Sequence, residues 1–174
     1  MRTIRITVLS ALAMTAVGVI SLVGSQPAAK AQETESIQHF CGDQAATIVG
    51  TEGLDNIRGT DGPDVIVALG GGGNIYGAGG DDIICGGDGI DRIVGGSGND
   101  TIYGGGGKDF LSGDSGNDAI YGDDGDDVIT GGADFDVLDG GAGFDTLHGG
   151  PDDDVCLVGD DGGNAEDCES DYLP

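Results

Sequence analysis

The stretch "GGSGNDTIY", residues 95–103, is followed directly by "GGGGKDFLS" (104–112) and "GDSGNDAIY" (113–121). Each nine-residue block opens on Gly, has Gly at its fourth place and Asp at its sixth, and carries Ile or Leu at its eighth. Counted outward from here, the phase runs without insertion through twelve blocks, from Gly50 to Leu157. Position one is Gly except at Ala68, and position four is Gly except at Asp134 and Asp152. Position eight is Ile or Leu except at Cys156. Position six is Asp in eleven blocks (Asp55, Asp64, Asp82, Asp91, Asp100, Asp109, Asp118, Asp127, Asp136, Asp145 and Asp154), and the exception is Gly73. Upstream, "CGDQAATIV" (41–49) keeps the phase with Ile48 at position eight but lacks the Asp at position six, as expected of a degenerate block that caps an array.

The rest of the composition bounds what such a repeat can do. The chain has 174 residues, 38 of them Gly, and a formal charge of −26 from 32 acidic and 6 basic residues. That balance repels nucleic acid and anionic membranes and attracts cations. High charge with few aromatics also fits a disordered acidic chain, but disorder does not maintain a fixed period, which is the mark of stacked repeats.

The pattern GGxGxDxUx, with U a large aliphatic, resembles the nonapeptide of the repeats-in-toxin (RTX) family, a calcium-binding repeat. "GGSGNDTIY" meets it at every defined place. The resemblance implies an all-β fold, a right-handed parallel β-roll (β-solenoid) of nine-residue calcium-binding repeats. In that family six residues form a calcium-binding turn and three a short strand, with eighteen residues to a coil. It also implies that each calcium lies between neighbouring loops of one row and takes the position-six carboxylate of both. The eleven Asp residues named above are then the metal ligands. Gly73 spoils two of ten gaps, leaving about eight well-formed Ca2+ sites, and Gly73→Asp is expected to add calcium and stability.

Residue chemistry leads the same way. Calcium takes six to eight oxygen ligands, carboxylate and carbonyl together. Gly lets a turn reach φ > 0 at little cost, so that carbonyls can face inward. In x-U-x the middle side chain faces one side and its neighbours the other, so Ile and Leu stack into internal rows. Positions seven and nine then form two outer faces. One, from Val65 and Val67 through Tyr103 and Tyr121 to Leu157, is more apolar than the other. It suits cover by residues 32–49 or by the tail, self-association, or an extracellular surface or matrix partner.

The ends of the chain differ from the array. Arg2 and Arg5 precede an apolar run from Ile6 to Gly24, and Ala29-Lys30-Ala31 has a small-x-small pattern. Residues 1–31 thus read as a signal peptide, with no membrane span after its cleavage and a secreted, extracellular mature chain. Residues 32–49 form an N-terminal segment with the capping repeat, 50–157 the twelve-repeat roll, and 158–174 an acidic C-terminal cap. Of the three pairings open to Cys41, Cys85, Cys156 and Cys168, nearness favours Cys156–Cys168, which leaves Cys41–Cys85.

Other motifs are chance products of composition. "GGGGKD" (104–109) ends in Lys-Asp rather than Lys-Ser or Lys-Thr. Residues 152–163 have EF-hand-like acidic spacing but place Cys156 at a ligand position. No Ser, Cys or His arrangement points to nucleophilic catalysis, so the expectation is a non-enzymatic calcium-binding module. The alternative is a secreted hydrolase or toxin-related protein that uses the roll as a scaffold.

Overall fold

The computed structural model describes residues 38–159 and 161–169. The expected leader (1–31), residues 32–37 and the last residues of the acidic cap lie outside that range. A short antiparallel hairpin, β1 (Phe40–Cys41) and β2 (Gln44–Ala45), opens the described chain. Strands then alternate between two parallel sheets. One sheet holds β3 (Ile48–Val49), β5 (Val65–Val67), β7 (Ile83–Asp88), β9 (Thr101–Gly106), β11 (Ala119–Asp124), β13 (Val137–Asp139) and β15 (Val155–Leu157) in chain order. The other holds β4 (Asp55–Arg58), β6 (Gly73–Gly79), β8 (Asp91–Ser97), β10 (Phe110–Ser115), β12 (Val128–Ala133), β14 (Asp145–His148) and β16 (Gly163–Glu166).

The register fixes the coil. Ile84 pairs with Ile102, and Ile102 with Ile120, each eighteen residues on. Ile75, Ile93, Leu111, Ile129 and Leu147 form the matching row in the second sheet. This is the parallel β-roll expected from the period. The two rows meet inside as the core, with Ile84, Ile93, Ile102, Ile120, Ile129, Leu138 and Leu147 fully buried. Branched side chains suit this packing, because few rotamers are lost when a stiff χ1 is held between identical neighbours.

Two local features differ from the expectation of six-residue turns and three-residue strands. The middle strands run six or seven residues, from about position seven to position three of the following block. Their ladder skips position one: Cys85 pairs with Tyr103 and Gly87 with Gly105, but no pair falls between them. Position one is therefore the corner of the coil. The stack also continues beyond Leu157, the expected end of the array. β16 belongs to a further in-phase block, 158–166, and pairs Leu147 with Ala165.

Disulfides join Cys41 to Cys85 and Cys156 to Cys168, with Cα separations of 5.7 and 5.9 Å. The first ties the hairpin to the apolar outer face of β7, which buries Cys41 and Val67. Farther along the same face Tyr103 and Tyr121 stack with ring centroids 5.1 Å apart. The 44-residue separation of the first bridge restricts the unfolded chain more than the 12-residue separation of the second. Chain entropy gives about 4 and about 3 kcal/mol respectively. Cys41→Ser/Cys85→Ser is therefore expected to lower the denaturant midpoint in calcium more than Cys156→Ser/Cys168→Ser. Equal or reversed losses would contradict this.

Candidate metal centre

Each position-six Asp begins a strand or lies one residue before it, and its side chain turns into the coil rather than out to solvent. Asp82, Asp91, Asp100, Asp109, Asp118, Asp127, Asp136, Asp145 and Asp154 are at most 2 % exposed. Their Oδ1 atoms build a ladder along the roll. The Asp82 N–H donates to Asp100 Oδ1 (2.8 Å), Asp100 N–H to Asp118 Oδ1 (2.7 Å), Asp118 N–H to Asp136 Oδ1 (2.8 Å) and Asp136 N–H to Asp154 Oδ1 (2.8 Å). In the other row Asp91 N–H donates to Asp109 Oδ1, Asp109 N–H to Asp127 Oδ1 and Asp127 N–H to Asp145 Oδ1. One oxygen of each of these carboxylates except Asp91 thus registers neighbouring coils.

The second oxygen has no such use. Oδ2 of all nine residues is buried and without a hydrogen-bond partner. A buried polar atom left unpaired costs about 1–3 kcal/mol, and more when charged. Nine repeats of that cost along one molecule call for a cation.

The glycine at position one shapes the place for it. A Cβ on Gly77, Gly86, Gly95, Gly104, Gly113, Gly122, Gly131, Gly140 or Gly149 would lie within 3.0 Å of the Oδ2 of its own block's Asp. At Gly77, Gly86, Gly104, Gly113, Gly122 and Gly131 it would also come within 2.8 Å of the position-one carbonyl oxygen one coil on. A carboxylate and a carbonyl oxygen therefore converge beside each such Cα, the two oxygen types that calcium takes as ligands. Among the described residues no three His, Cys, Asp or Glu side chains meet at one point. Calcium held there would draw on backbone carbonyls as well as the carboxylates, a donor set that fits a hard cation.

Two of the eleven expected ligands are built differently. The Oδ2 of Asp55 accepts the Thr51 N–H (2.6 Å), and that of Asp64 accepts the Thr60 N–H (2.7 Å) and hydroxyl (2.9 Å). A threonine at position two takes up the oxygen that is orphaned elsewhere. Gly73 interrupts the row between Asp55 and Asp91 and leaves both oxygens of Asp91 unpaired. Positions two and four are where φ > 0 is needed. They hold Gly87, Gly96, Gly98, Gly105 and Gly107 there, and Asp134 and Asp152 adopt the same sign at position four, as Asp does more readily than most residues.

Burial first, and then neighbouring carboxylates, push eight of the buried acids up in the metal-free state. Asp82, Asp91, Asp127 and Asp136 rise to about 6 and Asp118 to about 7. Asp100, Asp109 and Asp154 rise for the same first reason, burial. Asp64 goes the other way, held down chiefly by the Thr60 N–H. The contrast separates carboxylates that wait for a counter-charge from one that already has its donors.

A parallel β-solenoid whose corners present rows of buried, half-paired carboxylates is a calcium-binding β-roll. The RTX calcium-binding nonapeptide repeat matches over 49–84, 67–93, 86–120, 104–138, 121–156 and 130–164. The chain belongs to this family. No curated protein matches it.

Proposed function

We propose that the chain is an extracellular calcium-dependent folding and binding module. It holds about eight Ca2+, one in each gap of the row from Asp64 to Asp154 and of the row from Asp91 to Asp145. The observation that carries this reading is the set of nine buried Oδ2 atoms without partners, each beside a position-one glycine. Residues 1–31 as a leader and the two cystines support an oxidising space outside the cytoplasm. There calcium sites commonly have dissociation constants of about 0.1–1 mM, so the roll forms after export. Equilibrium dialysis against millimolar calcium, with metal analysis of the protein, tests the count. About eight ions per chain is the expected result, and one or two would refute the assignment of the rows.

A further inference from the structure

One block lacks the position-six carboxylate and also breaks the rule at position one. In 68–76, Ala68 replaces the glycine and Gly73 replaces the aspartate. The in-phase block 158–166 does the same, with Val158 and Gly163. From Gly50 to Glu166 every block with Gly at position one has Asp at position six, and these two blocks have neither. Chance does not require the two departures to coincide, but the packing does. In open blocks a Cβ at position one would meet the carboxylate oxygen, so the two groups exclude each other. Ala68 is 5 % exposed and belongs to the core cluster, and Val158 packs against the same core.

The backbone has closed to match. The Gly73 N–H donates to the Ile90 carbonyl (3.2 Å) and the Asp55 N–H to the Gly72 carbonyl (3.2 Å). In open blocks the corresponding N–H reaches an aspartate Oδ1 instead. A Cβ on Gly73 would collide with the Asp55 carbonyl oxygen, and one on Gly163 with the Asp145 carbonyl oxygen. The loop has drawn in over the place where calcium and carboxylate would lie.

We propose that residue one of each nonapeptide is the specificity-determining position of its calcium site: glycine opens the loop, and the side chains of Ala68 and Val158 close it. This rests on the calcium reading above and revises one expectation from the sequence. Gly73→Asp alone does not add a site, because its Cβ would meet the Asp55 carbonyl oxygen and its carboxylate would need the space beside position one that the Ala68 methyl fills. Both closed blocks adjoin a cystine, since Cys85 ends the block after 68–76 and Cys156 and Cys168 flank 158–166. A covalent cross-link stands beside each loop that a cation cannot cross-link.

The test uses the full chain and counts calcium by equilibrium dialysis, with melting curves in calcium and in chelator. Gly95→Ala is the decisive variant. Gly95 does not have positive φ, and the nearest atoms to its added methyl all belong to Asp100. The methyl is therefore resisted by the carboxylate alone. Gly95→Ala is expected to lose about one to two ions per chain and to melt lower in calcium. Gly95→Ala/Asp100→Gly, which transplants the closed pair, should lose the same ions yet melt higher than Gly95→Ala. In the opposite direction, Ala68→Gly/Gly73→Asp should gain at least one ion where Gly73→Asp gains none. Undiminished calcium in Gly95→Ala, or a gain in Gly73→Asp by itself, overturns the inference. A wild-type chain that binds no calcium overturns the functional reading itself. Should the gain-of-site pair not fold, the Gly95 and Asp100 variants still decide.

Discussion

Chelation of calcium at pH 7 is expected to abolish most of the strand signal of this protein, and added calcium to restore it. Ten buried carboxylate oxygens, the nine Oδ2 atoms and Asp91 Oδ1, have no partner within the chain. At about 1–3 kcal/mol each, their desolvation is on the order of 10–30 kcal/mol. Domains of this size are stable by only about 5–15 kcal/mol, so the metal-free roll at neutral pH has no margin. The formal charge of −26 adds self-repulsion that compactness makes worse. Ligands that bind only the folded state reverse the balance by mass action, and about eight sites at tenfold their dissociation constants contribute about 1.4 kcal/mol each. Magnesium should restore little, since it demands small octahedral sites and dehydrates reluctantly. Far-UV circular dichroism across a calcium titration reads the result. A chelated sample at pH 7 that keeps its full strand signal would show that the orphaned oxygens are not the controlling cost.

The period made the coil legible in advance. A fixed nine-residue phase with Ile or Leu at position eight places Ile84 over Ile102 and sorts Asp55, Gly73 and Asp91 into one row. The structure pairs them so. What the phase could not convey was purpose at position one. Glycine there reads as freedom of φ, but none of these position-one glycines adopts φ > 0. They are small because a carboxylate oxygen occupies the space of a Cβ, a fact of three-dimensional approach rather than of local conformation. The joint departure of Ala68 and Gly73 was the available signal. Taken one at a time they look like two unrelated lapses. Thr51 and Thr60 were likewise invisible as partners of Asp55 and Asp64, since a threonine in a turn carries no mark of which oxygen it will serve. The hairpin at Phe40–Ala45 was hidden too. Its residues keep the nonapeptide phase, and only the bridge to Cys85 draws them across the outer face.

In chelator, the roll should become more stable as the pH falls, the reverse of ordinary acid denaturation. Asp82, Asp91, Asp127 and Asp136 lie at about 6 and Asp118 at about 7 in the folded, metal-free chain. Unfolded aspartate titrates near 3.9. A folded pKa raised above the unfolded one means that the folded state binds more protons between the two values. Stability is then fully present below about pH 4 and is lost as the pH rises through about 6 to 7. Each of these groups withdraws on the order of 3 kcal/mol across that window. Calcium prefers the ionised carboxylates, so in its presence the slope reverses and acid weakens the roll. Asp118→Asn isolates one group. Its amide oxygen can still accept the Asp100 N–H, which now bonds Asp118 Oδ1 at 2.7 Å. Its amide N–H faces the side where the Gly131 carbonyl lies near the position-one corner. The variant is expected to melt higher than wild type by about 5 °C in chelator at pH 5.5, where protonation lets the metal-free roll fold, and lower than wild type in calcium. Melting curves at pH 4, 5.5 and 7, with and without the metal, read both signs. A chelated protein that loses stability steadily from pH 7 to pH 4, or an Asp118→Asn variant that melts lower than wild type in both conditions, would place the cost of the bare ladder somewhere other than in its carboxylates.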